Sequence, residues 1–189
     1  RCMEREFEQT LKDIDRRCQE HEVPYALIGG LAAIVHGSTR TTADVDIIIL
    51  TELDDLERVL EVFGKGYISI KPNPLAFFRR CFFVPLQHIK TKVRVDVAAA
   101  LSGFERKVIS RCLRKPFNEV DVNVCTIEDL VLMKLIAARA KDELDVNTLF
   151  PRHRKQLDLK YLRARAREFI EVERSDVIES LEKLLRKYR

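Results

Sequence analysis

The chain has 189 residues, of which 46% are hydrophobic and 34% charged, enough for a packed core and too apolar for a disordered tail protein. The net charge of +4 is uneven: Phe150 to Arg189 carries 12 Lys/Arg against 7 Asp/Glu, so the preceding residues are close to neutral. A basic end on a neutral body is a weak pointer to a polyanionic partner. No apolar run approaches the ~18 residues of a membrane span, and no charged-then-apolar opening reads as a secretory signal. The cysteines, Cys2, Cys18, Cys81, Cys112 and Cys125, are odd in number and lack C-x-x-C spacing. That argues against a disulfide framework and a cysteine-rich zinc site, and the expected compartment is a reducing cytoplasm.

The first predicted element is a helix, because Phe7, Leu11, Ile14 and Cys18 recur at steps of four and three. After Pro24, Tyr25 to Ile28 reads as a short buried strand ending at Gly29-Gly30. Leu31 to Val35 suits a helix packed close to it. Asp44 to Leu50 (DVDIIIL) is β-branched and apolar, the signature of a central strand. Thr51 to Asp54 has the pattern of a capping box, and Leu53, Leu56, Leu60 and Phe63 trace one face of the helix after it, which Gly64 and Gly66 stop. Tyr67 to Ile70 reads as a strand. Asn73 to Arg80, beside two prolines, reads as a loop. Cys81 to His88 is a strand that Pro85 pushes toward a sheet edge. Val93 to Ala98 alternates strictly, as a strand does, and Gly103 to Leu113 is helical. Val120 to Val124 is a last strand, and Thr126 to Asp129 caps a helix over Leu130 to Ala140. Pro151 breaks the chain, and two charged amphipathic helices follow near residues 157–169 and 175–188. Strands mixed with helices, then helices alone, predict an α+β fold: a mixed-sheet core flanked by helices over residues 1–149, and a helical C-terminal extension over 150–189 packed on it.

Three carboxylates stand out. Asp44 and Asp46 are two apart at the start of an apolar strand, so they share a face, roughly 6–7 Å apart along the chain. Carboxylates so placed repel unless a cation lies between them, and a hard divalent ion such as Mg2+ suits their oxygens. Asp96 alternates against Val93, Val95 and Val97. If its strand lies beside Asp44 to Leu50, all three carboxylates converge in the layout of a two-metal phosphoryl- or nucleotidyl-transfer site. Gly29-Gly30 follows a strand and opens a helix, where backbone N–H groups can approach a phosphate. No G-x-G-x-x-G or Walker sequence is present, which removes Rossmann and P-loop readings.

The run Ala26-Leu-Ile-Gly-Gly-Leu-Ala-Ala-Ile-Val-His-Gly-Ser-Thr-Arg-Thr-Thr-Ala-Asp-Val-Asp-Ile resembles the signature of the DNA polymerase β-like nucleotidyltransferase superfamily: an apolar residue, Gly, Gly or Ser, a spacer of about a dozen residues, then Asp-x-Asp. Its His-Gly-Ser-x-Arg-x-Thr-x-Asp-x-Asp form is similar to the branch holding AbiEii-type toxins and minimal nucleotidyltransferases. A second segment, Thr126-Ile-Glu-Asp-Leu-Val-Leu-Met-Lys-Leu-Ile-Ala-Ala-Arg-Ala-Lys-Asp-Glu-Leu-Asp, continues it, so the resemblance covers about residues 23–149.

The resemblance implies Mg2+-dependent transfer of a nucleoside monophosphate from an NTP to an acceptor hydroxyl, with a two-metal site on Asp44, Asp46 and Asp96. Asp96 would help activate the acceptor. Gly29, Gly30, Ser38, Arg40 and Lys134 would contact the nucleotide. Gly30 stands where many members carry Ser, whose hydroxyl contacts phosphate. The acceptor stays open between an RNA or tRNA 3′ end, a protein hydroxyl, and an aminoglycoside-like small molecule. Seven Lys/Arg between Arg152 and Arg167 suit either an RNA backbone or a solvated helix face. A toxin held by an antitoxin protein and a non-catalytic nucleotide-binding module are the other roles compatible with the pattern.

Overall fold

A computed structural model describes residues 2–189. The chain divides into two compact units, one made of the residues up to Val35 with Arg40–Cys125, the other of His36–Thr39 with Thr126–Arg189. Among the described helices none is long and apolar enough to cross a membrane.

The first unit is built on a mixed sheet of seven strands, β1 (Tyr25–Ile28), β2 (Asp44–Leu50), β3 (Tyr67–Ser69), β4 (Phe83–His88), β5 (Arg94–Ala100), β6 (Leu113–Phe117) and β7 (Val120–Val124), in the order β3-β4-β5-β2-β1-β7-β6. β2 runs parallel to β5 with Asp46 opposite Asp96, and β1 runs parallel to β7; the other pairs are antiparallel. The helices of this unit are α1 (Cys2–Glu20), α2 (Gly29–Val35), α3 (Leu56–Phe63), α4 (Pro74–Cys81) and α5 (Gly103–Arg111). Valines and isoleucines at alternate positions, Val45, Ile47 and Ile49 on β2 with Val95 and Val97 on β5, are fully buried on one face. That face receives α1, whose Phe7, Leu11, Ile14 and Cys18 are buried and whose Asp13 lies 3.6 Å from His88 of β4. The three aspartates are on the other face.

Several expected elements are corrected. Asn73 to Arg80 is no loop: the Asn73 side chain accepts from the Ala76 N–H and Pro74 takes the first helical turn, so the proline opens α4 instead of preventing it. The Thr51–Asp54 box is not used. Thr51 bonds to Glu52 and Asp55 carbonyls, α3 starts at Leu56, and Leu53 is exposed while Val59 and Val62 complete the buried face. β4 is not an edge strand, since the three-residue β3 lies outside it. The Pro85 carbonyl accepts from the Ile70 N–H just beyond the end of β3, so the proline interrupts only the last pair of that short ladder. β6 escaped the sequence reading, and it forms a hairpin with β7 through Asn118, which takes a left-handed conformation at φ 53°.

The second unit holds α6 (Ile127–Ala137), α7 (Ala140–His153), α8 (Leu159–Glu168) and α9 (Asp176–Lys187). The Thr126 cap forms as expected, its side chain accepting from the Asp129 N–H. Pro151 does not break the chain at once, because it sits in the last turn of α7, which runs on to His153. Arg152 donates to the Gly37 carbonyl at 2.6 Å, and His153 Nε2 lies 2.8 Å from the His36 carbonyl, which ties His36–Thr39 to this unit.

Candidate active site

Asp44 and Asp46 lie on β2 and Asp96 on β5, and the parallel register brings them together. Each offers a carboxylate oxygen within 4.8 Å of the others, and all three are half-buried. The strand pairing on which the expected convergence depended is therefore present. Three hard oxygen donors at this spacing suit a divalent cation.

The strand-to-helix turn packs directly against these acids. Gly29 has φ +67°, and a Cβ there would lie 2.1 Å from Asp46 Oδ2, so only glycine leaves room for that carboxylate. A Cβ on Gly30 would meet Thr42 Oγ1 at 2.8 Å and Arg40 Nη2 at 3.4 Å. Arg40 Nε donates to the neighbouring Thr41 carbonyl, and the Thr42 hydroxyl donates to Asp44 Oδ1 at 2.9 Å.

Two residues of this site were given no role in the sequence reading. Thr42 is one. The other is Arg94, whose Nε and Nη2 donate to both oxygens of Asp96 at 2.8 and 2.9 Å. The bond to Asp96 raises the Arg94 pKa above its ordinary value, with smaller contributions from Asp44 and Asp46, so the guanidinium lies in the field of all three acids. The signal was available: Arg94 and Asp96 are two apart on an alternating strand and must share a face.

A cavity of about 820 Å³ opens beside Asp46 and Asp96. Ala98 and Ala99 border it with the aromatic Phe82 and Phe83, and its rim includes Glu105 and Arg106. Arg106 is paired with Glu52 at 2.8 Å, and the Glu105 carboxylate accepts from the N–H groups of Leu101 and Ser102. The cavity is thus apolar in its walls and acidic near the strand carboxylates.

Gly29, Gly30 and Arg40 belong with the three acids in the first unit, while Ser38 and Lys134 belong to the second. Ser38 is buried there. Lys134, only 5% exposed, places Nζ 2.6 Å from Asp145 and 3.4 Å from Asp142, and Asp142 also accepts from Arg139 at 2.6 Å. Burial pushes the Asp142 carboxyl up, but Arg139 and Lys134 together outweigh it and hold the group below the usual carboxylate range. Asp145, on α7, thus reaches across to Lys134 on α6.

The basic run near the C-terminus is largely committed inside this unit. Arg152 bonds Gly37, Arg154 bonds the Tyr188 carbonyl, Arg163 pairs with Glu182 and Arg165 with Glu168. Cys18, Cys81 and Cys112 are free thiols and Cys125 is buried, while the Cys2 side chain lies outside those described.

The family model described as "Nucleotidyltransferase of unknown function (DUF6036)" matches residues 5–188. No curated protein matches the sequence. Among solved structures, the antibiotic-resistance factor ANT(2″)-Ia in complex with adenylyl-2″-tobramycin is similar with a TM-score of 0.58 at 13% identity, over 85% of this chain and 96% of that one. The solution structure of the same factor gives 0.57, also at 13% identity, over 85% and 91%. An antigenic nucleotidyltransferase-like protein from Paracoccidioides brasiliensis gives 0.53 at 15% identity, over 94% and 92%. At such identities the likeness is one of fold.

Proposed function

The chain belongs to this family of nucleotidyltransferases, and from that premise we propose that it moves a nucleoside monophosphate from an NTP to the hydroxyl of a small molecule, using Asp44, Asp46 and Asp96. The observation that carries the reading is the convergence of these three carboxylates within 4.8 Å beside an open cavity. In the reaction the acceptor oxygen bonds to the α-phosphorus. The bond from that phosphorus to its bridging oxygen breaks, and pyrophosphate leaves with the electron pair. The hydroxyl proton passes to Asp96. Asp44, Asp46 and Asp96 would hold Mg2+, in the two-metal arrangement that the resemblance implies, which when bound neutralises the phosphate charge and polarises the phosphoryl oxygens. Gly29 and Gly30 present bare backbone for a phosphate to approach, and Arg40 lies beside Gly30 to contribute positive charge. The resemblance adds Ser38 and Lys134 as nucleotide contacts.

Two observations favour a small acceptor over an RNA 3′ end. The cavity beside Asp96 is in the size range of small-molecule sites. Four arginines of the basic run, which suggested RNA, are bonded within their own unit. A neighbour in fold, ANT(2″)-Ia, was solved with adenylyl-2″-tobramycin, which is the kind of product this reading predicts. A toxin role of the AbiEii type would use the same chemistry on an RNA or protein acceptor and would add an antitoxin partner.

The test is an incubation with Mg2+ and each of four α-labelled NTPs, offering an aminoglycoside and lincosamide panel, total RNA and the protein itself. Label is expected on a small molecule, and Asp44→Asn and Asp46→Asn should lose at least 10³-fold in rate, on the order expected when a main charge-stabilising group is removed, with unchanged far-UV circular dichroism. Label on RNA or on protein would overturn the small-acceptor reading. Tight NTP binding without pyrophosphate release would point to a non-catalytic nucleotide-binding module.

A further inference from the structure

Gly30 lacks a side chain at the one place where two others converge. An added Cβ would stand 2.8 Å from Thr42 Oγ1, 3.1 Å from Thr42 Cβ and 3.4 Å from Arg40 Nη2. The first distance is one that real Cβ atoms essentially never show, and the second leaves little room to give. Thr42 therefore fills the notch that a residue larger than glycine would occupy.

From that position its hydroxyl acts on the acid cluster. Thr42 Oγ1 donates to Asp44 Oδ1 at 2.9 Å, with the Asp44 carbonyl a more distant acceptor at 3.3 Å. Thr42 lies just before β2, and the bend at Ala43 lets its hydroxyl turn back onto the Asp44 side chain. The bond occupies Asp44 Oδ1, and it limits rotation of the carboxylate about its terminal torsion, which is otherwise broad.

We propose that Thr42 is a positioning residue for Asp44, and that Gly30 is bare so that Thr42 can reach it; the two positions work as one interlocked pair. This rests on the reading of Asp44, Asp46 and Asp96 as a divalent cation site. It also gives the glycine a purpose: a hydroxyl still stands beside the strand-to-helix turn, delivered from the neighbouring segment and not from residue 30.

The experiment measures Mn2+ binding to the full chain without nucleotide, by calorimetry and by the free-ion electron paramagnetic resonance signal. Thr42→Val removes the hydroxyl and keeps the shape, and it is expected to weaken Mn2+ about tenfold or more, the range seen when an outer partner of a metal ligand is lost. Thr42→Ser should return the affinity to within about threefold of wild type, because the hydroxyl is restored. Gly30→Ala should weaken Mn2+ by a similar factor to Thr42→Val, and the double variant should lose no more than either alone, since both remove one bond. Melting temperature and circular dichroism check each fold, and Thr42→Ala stands in if Thr42→Val does not fold.

Wild-type affinity in Thr42→Val overturns the positioning role, as does a Thr42→Ser variant that fails to recover. Losses that multiply in the double variant overturn the interlock. If wild-type protein itself binds no Mn2+, the cation-site reading falls, and the inference falls with it for a separately visible reason.

Discussion

Arg94 puts a fixed positive charge against three acids. Its guanidinium spans both oxygens of Asp96, and its side chain is 48% exposed, so it can swing away into solvent. An internal cation of this kind competes with an external one for the same field. Arg94→Met is therefore expected to tighten Mn2+ binding severalfold, most clearly at low ionic strength where exposed charges are least screened. Weaker binding in that variant would mean that Arg94 orients Asp96 and does not compete. Gly29 is the opposite case, a residue defined by what it leaves out. Gly29→Ala forces a Cβ onto Asp46 and adopts a left-handed φ, so it should lower the melting temperature and abolish transfer together.

Among the elements, α1, β1 and β6 are tied by one buried acid. Asp15, 8% exposed, accepts from the Tyr25 hydroxyl at 2.8 Å and from Arg114, with which it forms a two-point ion pair. Burial, reinforced by Asp15, drives the Tyr25 phenol well above its ordinary range, so that hydroxyl stays a donor. Asp15→Ala leaves it without its acceptor and should cost about 1–3 kcal/mol in urea unfolding; an unchanged midpoint would show that water or Asn123 replaces the carboxylate. Apart from α7, which the sequence reading does not assign, the long elements and the acid triad were legible because apolar period and alternation are strong signals over seven residues or more. The sequence hid α4 and β6 for a different reason in each. Pro74 carries the same letter whether it ends a helix or opens one, and only the Asn73 cap decides. β6 reads Leu-Arg-Lys-Pro-Phe with exposed and half-buried residues, so its strand state comes from pairing with β7 and not from its own pattern. Thr42 and Arg94 stand two residues from acids already singled out, and they were passed over because each was read alone and not against its partner.

For the molecule as a whole, acid should be the effective denaturant. Asp13 and Asp142 are held below the ordinary carboxylate range; burial opposes this in both, and the arginines bonded to them prevail, helped at Asp142 by Lys134. A carboxylate with a depressed folded pKa adds stability that is present above its unfolded pKa near 4 and is lost as pH falls through the folded value. Chemical stability should thus be flat near neutrality and fall steeply below about pH 4. Asp142→Asn should lower stability at pH 7 and approach wild type at pH 2–3, and a gap that persists in acid would mean the loss comes from packing. Cys18 offers a complementary check on integrity, since burial and the nearby Asp15 push its thiol up to about 12. It should resist alkylation at neutral pH until the first unit unfolds.

The parallel pairing of β1 with β7 has a consequence for how the polypeptide is made. β1 is synthesised early, yet its second neighbour is joined through Leu27 opposite Val124, almost one hundred residues later. Until the ribosome has released β7, the emerging chain carries β1 and β2 as an apolar sheet with one raw border, the form most open to pairing with another nascent copy. A nonsense mutation or stalled transcript ending between Val97 and Glu119 would leave that border permanently uncapped. Such fragments should collect in inclusion bodies or on chaperones even though they retain all three acids, and slowing translation across residues 113–124 should lower the soluble yield of the intact enzyme.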